Sequence, residues 1–276
     1  MSILAPDGPD QINPDWVGLL DARQSGWFLK DSDELFKGFP VSASDKVLDV
    51  GCGQGVATLF CAERGAAVTY VDIDPAVVET VAQKVSEQGT AASHTGLVSD
   101  CEPLQVPDQS ATRVICQEVL EHVADPDHVV SELVRAGQPG ALYLLTVPGE
   151  QGENVQKAFA PAEYFEHPNH IRVFSESDFR SLAERNGLEI ISYSSSGFYL
   201  TFWVCIQWAI AAARKRQSGD SSPGADDPFT PPYDDSLSSW ATLWGKLIAT
   251  PEGEVFKREL DKVLPKVQII VGKKPA

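Results

Sequence analysis

Three glycines at alternate positions, Gly51, Gly53 and Gly55, follow the apolar run Lys46-Val47-Leu48-Asp49-Val50. Without a Cβ, such residues let the backbone turn sharply and come close to a ligand. A helical pattern from about Val56 to Arg64 comes next, so its N-terminal amides face whatever lies over the turn. About twenty residues further on, a second apolar run, Ala67-Val68-Thr69-Tyr70-Val71, ends in Asp72-Ile73-Asp74-Pro75. An acid at that place holds a ribose by its two hydroxyls. The chemistry expected is capture of a nucleoside-bearing cofactor, set against the plainer reading of an ordinary strand-to-helix turn.

Two large groups share these features: dinucleotide dehydrogenases and S-adenosylmethionine (SAM) methyltransferases. Dehydrogenases carry Gly-x-Gly-x-x-Gly. Here the third glycine comes one residue early, as Asp49-x-Gly51-x-Gly53-x-Gly55. That pattern resembles the first motif of class I SAM-dependent methyltransferases. Three further segments resemble the later motifs, in the same order, and the resemblance covers about residues 45 to 195. Asp72, with Ile73 beside it, matches the acid that grips the ribose. Asp100 with Cys101 matches the position that addresses the adenine edge. Cys116-Gln117-Glu118-Val119-Leu120-Glu121-His122-Val123 matches the loop near the sulfonium and the incoming acceptor. The nearest likeness is to the ubiquinone-biosynthesis-like, type 11 small-molecule methyltransferases, and His170-Ile171-Arg172-Val173-Phe174-Ser175 resembles the stretch before their last core helix.

The resemblance implies SAM as cofactor, with Asp49, Gly51, Cys52, Gly53, Gly55, Asp72, Ile73, Asp100, Cys101 and Gln117 as the residues that bind it. It also implies transfer of a methyl group to O, N or C of a small or moderately lipophilic acceptor. The leaving group is good, so positioning and water exclusion supply most of the effect. A base helps where the nucleophile carries a proton. His122 is the candidate catalytic residue, because histidine titrates near neutral pH; the alternative is that it hydrogen-bonds its own loop. Glu118, Glu121 and His122, with His167 or His170, resemble a divalent-cation site of small-RNA end methyltransferases and of some ubiquinone-pathway O-methyltransferases. The same pattern also occurs widely without metal, and no metal is assigned.

Elements that would position these groups alternate from Asp45 onward. Strands are expected at 46–50, 67–71, 94–98, 111–116 and 141–147, with helices at about 55–64, 75–88 and 126–136 between them. Such alternation implies right-handed crossovers and a parallel sheet, with ligands outside the carboxyl ends of the strands. After a polar loop at 149–170, a helix at 175–186 and strand 188–193 follow, and the last strand is 266–272. The fold class expected is α/β: a Rossmann-like methyltransferase fold with a seven-stranded, mostly parallel sheet, an antiparallel last strand and helices on both faces. Roughly seventy residues separate the last two strands, too many for a plain connection. We therefore divide the chain into an N-terminal cap segment 1–40, a SAM-binding core 41–196, an inserted helical lid 197–264 and the last core strand 265–276.

In the insert, Phe198, Phe202, Ile206 and Ile210 recur every four residues and predict a buried helix face. The uncharged run 197–213 is short for a membrane span, which needs about twenty apolar residues. Residues 217–239, rich in Ser, Gly, Asp and Pro, read as a mobile link. Trp240 to Leu264 reads as one helix with Trp240, Leu243, Trp244, Leu247 and Ile248 on a face. In the cap segment, Asp15–Leu20 and Ser32–Phe39 read as short helices. Trp27 and Lys30 are candidates to touch SAM, against simple packing on the core.

Composition limits the partners. A net charge of −17 on 276 residues repels phosphate backbones and anionic headgroups, which argues against nucleic acid and leaves membrane contact a minor alternative. Five cysteines without metal-ligand spacing read as reduced thiols of a cytoplasmic protein. The acidic start, Met1 to Asp10, has no apolar core and is not expected to be a signal peptide. Two rival functions remain: a nicotinamide-dependent oxidoreductase, disfavoured by the glycine spacing, and a non-catalytic SAM-binding module.

Overall fold

A computed structural model describes residues 13–218 and 233–276. The Met1–Asp10 segment and most of the expected 217–239 link lie outside the described residues. The chain divides into two units. One comprises Gly26–Pro148, Ile171–Ser194 and Gln268–Ala276; the other comprises the described residues of Met1–Ser25, Gly149–His170 and Ser195–Val267.

Elements are numbered along the chain, beginning with α1 (Pro14–Gln24) in the second unit. The first unit starts with a small antiparallel sheet of β1 (Trp27–Leu29), β2 (Glu34–Phe36) and β3 (Phe39–Pro40). This replaces the helix expected at 32–39. Left-handed backbone at Gly26, Phe28, Asp33 and Gly38 folds the chain back on itself, which a helix does not tolerate. Then come β4 (Lys46–Val50), α2 (Val56–Glu63), β5 (Ala67–Asp72), α3 (Pro75–Gln88), β6 (Ser93–Val98), β7 (Ala111–Gln117), α4 (Pro126–Ala136) and β8 (Gly137–Pro148). The unit closes with α6 (Glu176–Arg185), β9 (Glu189–Ser196) and β10 (Val267–Lys273); α5 (Glu150–Gln156) lies between β8 and α6, in the other unit.

The large sheet has the order β6-β5-β4-β7-β8-β10-β9. Neighbours from β6 to β8 are parallel. The last strand runs antiparallel beside β8: Gly140 N–H donates to Lys274 O at 2.9 Å, while Gly149 N–H donates to Lys266 O at 2.8 Å, so one strand ascends as the other descends. The expected sheet and the insertion of its last strand are both observed. Local signals explain the helix starts. Asp74 accepts Ala76 N–H, Asp125 accepts His128 N–H, and Ser175 accepts Asp178 N–H, each at the N-cap of α3, α4 and α6. Val78, Val81 and Val85 bury one face of α3 at helical spacing. Within the sheet Val114, Ile115, Leu144 and Ile270 are fully buried, each contributing about 1.5–3 kcal/mol relative to exposure.

The second unit packs α1, α5, α7 (Phe198–Ser218), α8 (Asp235–Ile248) and α9 (Pro251–Val263). The loop expected at 149–170 contains α5 and a 3-10 turn at Ala162–Phe165. Helix α7 buries a face shifted from the one expected: Phe198 and Ile206 border the interior and Phe202 lies outside it. Trp203 is 3% exposed and Phe202 40%, and Tyr199, Val204 and Trp208 are also inside. The Phe198–Ile210 spacing and the Tyr199–Trp208 spacing are both helical, and the larger rings take the interior around Trp244 and Ile248. The helix expected over 240–264 is two helices. Thr250 caps α9 by accepting Gly253 N–H, and Pro251 sits at its first turn, where it cannot continue α8. Leu243, expected inside, is exposed. At the centre of this unit the ammonium of Lys257, 1% exposed, lies 2.6 Å from Asp261 Oδ2 and 3.4 Å from Asp21 Oδ2. Asp261 Oδ1 accepts the Gly197 and Phe198 amides, and Trp244 Nε1 donates to Asp21. No described helix is long and apolar enough to cross a membrane.

Candidate functional site

The site is built at the carboxyl ends of β4, β5 and β7. At the end of β4 the amides of Gly51 and Cys52 both donate to Val71 O, at 2.8 and 3.0 Å, which ties the turn to β5. Gly51 is obligatory by close approach as well as by its φ of +71°. A Cβ there would stand 2.1 Å from Val119 Cγ2, on the loop after β7. At Gly53 a Cβ would meet nothing within 4 Å, so open space lies above the turn. Gly55 caps α2 in left-handed backbone and faces Val81 of α3.

Two acids support the turn from opposite sides. Asp49 is buried, and its carboxylate accepts the Thr58 hydroxyl of α2 at 2.5 Å. Burial pushes its pKa up to about 6, and the Thr58 bond works against that rise. Asp72 Oδ2 accepts Gly53 N–H at 3.0 Å, and Oδ1 accepts Asp74 N–H at 3.1 Å. Ile73 beside it is 71% exposed, an apolar side chain offered at the rim. Cys52 is buried in the turn, and burial with the nearby Asp49 and Asp72 raises its thiol to about 12, so it serves as a small apolar group.

After β6, Asp100 is exposed and its carboxylate accepts Glu102 N–H at 3.0 Å. Cys101 is buried with φ +68°, and its amide donates to Ser99 Oγ at 3.0 Å. Asp100 therefore sits at the rim of the same strand ends, while Cys101 is buried in the core with its amide engaged by Ser99.

Gln117 ends β7, and Glu118 follows with φ +53°. That left-handed backbone is held by β8: Thr146 Oγ1 accepts Glu118 N–H at 3.2 Å and donates to Glu118 Oε1 at 3.0 Å. Leu120 and Glu121 are fully buried, and His122 is half-buried. His122 Nε2 lies 3.6 Å from Glu121 Oε1, and the His122 amide donates to Val119 O. Arg172 donates to Val123 O and Ala124 O at 3.0 and 3.1 Å.

Other expected residues have partners of their own. Trp27 packs on Phe36 with centroids 4.7 Å apart, and Lys30 pairs with Glu63 at 3.5 Å. His167 and His170 belong to the second unit, where His170 Nδ1 meets the buried Glu153 at 3.0 Å. Thr58, Val119, Thr146 and Arg172 were not singled out from sequence. Val119 and Arg172 lay within the quoted stretches 116–123 and 170–175; Thr58 and Thr146 had no such signal.

With this geometry in place, the family described as a methyltransferase domain matches residues 26–193, more than half of the chain. The chain belongs to that family. The ubiquinone biosynthesis O-methyltransferase of Pseudomonas putida (strain GB-1) is 32% identical over 154 residues, covering 56% of this chain and 59% of that protein. That of Pseudomonas aeruginosa (strain LESB58) is 33% identical over 122 residues, covering 44% and 52%. The chain thus spans between half and three fifths of these curated relatives. A solved structure of Haemonchus contortus phosphoethanolamine N-methyltransferase 2 in complex with SAM has a TM-score of 0.58 at 16% identity, covering 96% of this chain and 58% of that one. The [4+2]-cyclase SpnF has a TM-score of 0.55 at 17% identity, covering 99% and 86%. At these identities the structures establish the fold, and the methyltransferase domain rests on the sequence match.

Proposed function

We propose that the protein is a SAM-dependent methyltransferase acting on O, N or C of a small or moderately lipophilic acceptor. The observation that carries this reading is the Asp72–Gly53 contact at 3.0 Å beneath open space. It places a carboxylate with two acceptor oxygens beside a turn that leaves room for a ligand. Asp72 would hold a ribose by its hydroxyls, as acids at this strand end do. Ile73 would cover the adenine, Asp100 and Cys101 would address its edge, and Gln117 would border the methyl. Asp49 holds the turn through Thr58 rather than touching the ligand. When bound, SAM supplies an electrophilic methyl on a sulfonium that departs as a neutral thioether. The chain's part is to orient that methyl, exclude water and accept a proton.

His122 is the proposed base for an acceptor bearing a proton. The buried Glu121 carboxyl lies 3.6 Å from its Nε2. The insert 197–264 is proposed to act as a lid that selects the acceptor. The relatives' name, ubiquinone biosynthesis O-methyltransferase, favours oxygen as the atom methylated and a small molecule as the acceptor. Five cysteines, all free thiols, support a cytoplasmic setting, and the net charge of −17 speaks against nucleic acid as partner.

Titration calorimetry with SAM, with S-adenosylhomocysteine and with NAD+ tests the reading. Heat with the first two, lost in Asp72→Ala, is expected. Heat with NAD+ alone would move the protein to the oxidoreductases.

A further inference from the structure

The loop after β7 carries the proposed base, and its shape is held at both ends by side chains from elsewhere in the first unit. At its start, Thr146 of β8 grips Glu118 on both the amide and the carboxylate. In its middle, the His122 amide closes a turn on Val119 O. The carbonyls of Val123 and Ala124 then point away from that turn, before Asp125 caps α4. Arg172 takes both of them, one with each terminal nitrogen of its guanidinium.

Arg172 is itself well anchored. Two residues on, Phe174 is buried and its carbonyl accepts Gln268 Nε2 at 2.8 Å; the same amide nitrogen also donates to Pro148 O at the end of β8. Gln268 Oε1 accepts the Tyr193 hydroxyl. The backbone of 172–174 therefore joins two sets of hydrogen bonds, one to Gln268 of the last strand and one to the residues next to His122.

We propose that Arg172 is a positioning residue for methyl transfer: it fixes the loop 118–124, and so the imidazole of His122, relative to the glycine turn. The inference rests on the functional reading above. It goes beyond that reading by assigning the orientation of the loop to a residue about fifty positions downstream. The fork geometry explains the residue type. A guanidinium is planar and serves two carbonyls of consecutive peptides at once. A lysine ammonium on a flexible stem holds one at a time. Misplacement of a catalytic group by about 1 Å can lower a rate about a hundredfold.

The test compares wild type, Arg172→Gln and Arg172→Lys in the full chain. Amide hydrogen exchange is read with S-adenosylhomocysteine bound, and turnover is read with 3,4-dihydroxybenzoate as probe acceptor. In Arg172→Gln, exchange at 119–124 is expected to speed up by about tenfold or more while β4 and β5 stay protected. Calorimetry is expected to give an unchanged Kd for S-adenosylhomocysteine, and kcat to fall about ten- to hundredfold at constant KM for SAM. Arg172→Lys is expected to recover part of both effects. Unchanged exchange at 119–124 in Arg172→Gln overturns the proposal whether or not the probe turns over. So does a loss of protection spread through the sheet, which marks Arg172 as a general structural support. Failure of wild type to bind S-adenosylhomocysteine overturns the SAM reading instead, while exchange measured on the free protein still decides the clamp.

Discussion

The Thr58 hydroxyl donates a 2.5 Å hydrogen bond to Asp49, and both groups are buried between β4 and the first helix after it. A carboxylate in that position needs a donor, because burial alone favours its protonated form. With a native pKa near 6, above its unfolded value of 3.8, Asp49 contributes stability that is present at acid pH and lost as pH rises through 6.

Thr58→Val keeps the shape and removes the donor. We expect a loss of about 1–3 kcal/mol at pH 8. The loss should be smaller at pH 5, where Asp49 is protonated and no longer needs the bond. Urea unfolding at the two pH values checks it, and an equal loss at both would show that charge on Asp49 plays no part.

Gly51→Ala sets a methyl 2.1 Å from Val119 Cγ2 in left-handed backbone. A cost of about 1–3 kcal/mol from overpacking is expected, with a further contribution from the backbone. Val119→Ala should relieve the first part only, so a double-mutant cycle should show favourable coupling. Additive losses would mean the two loops do not touch.

Asp72→Asn leaves the acceptor for Gly53 N–H but removes the charge. Affinity for S-adenosylhomocysteine should fall about tenfold or more, since hydrogen bonds to charged groups are worth about 1.5–3 kcal/mol. Thermal unfolding of the free protein should change little. A retained Kd would remove Asp72 from the ribose site.

His122→Ala should lower kcat about 10²-fold or more with a proton-bearing acceptor and leave cofactor affinity alone. The rate should also lose its decline at acid pH, which follows from protonating an imidazole base. A parallel fall with the decline intact would assign His122 to holding its loop.

In the second unit, Lys257 compensates Asp21 and Asp261. Burial already raises Asp21 to about 6, with Lys257 opposing the rise. Lys257→Met should destabilise by about 3–5 kcal/mol. The loss should grow from pH 5 to pH 8 as Asp21 is forced to ionise without its partner. Calorimetric unfolding across that range decides it.

Much of the first unit follows from patterns that are local in the chain. The alternation of apolar runs, the Asp-Pro and Ser-x-x-Asp caps and the Gly-x-Gly-x-Gly turn are satisfied within a few residues, so β4 to β8 and the cofactor turn are legible in the order of residues alone. Asp72 and Ile73 are legible for the same reason: they end a strand whose period is plain.

Tertiary packing alone decided three other features. Tyr199, Trp203 and Trp208 are buried in α7, while Phe198 and Ile206 only border that cluster and Phe202 is exposed, because two helical stripes of similar hydropathy compete and only the partner helices choose between them. The helix expected at 32–39 gave way to strands through left-handed turns whose pairing lies across the hairpin. Thr58, Thr146 and Arg172 act on Asp49, Glu118 and the 123–124 carbonyls over separations of 9, 28 and up to 49 residues. A periodicity of two or 3.6 residues carries no information at that range, so the supports of the site become visible only when the strands are laid side by side.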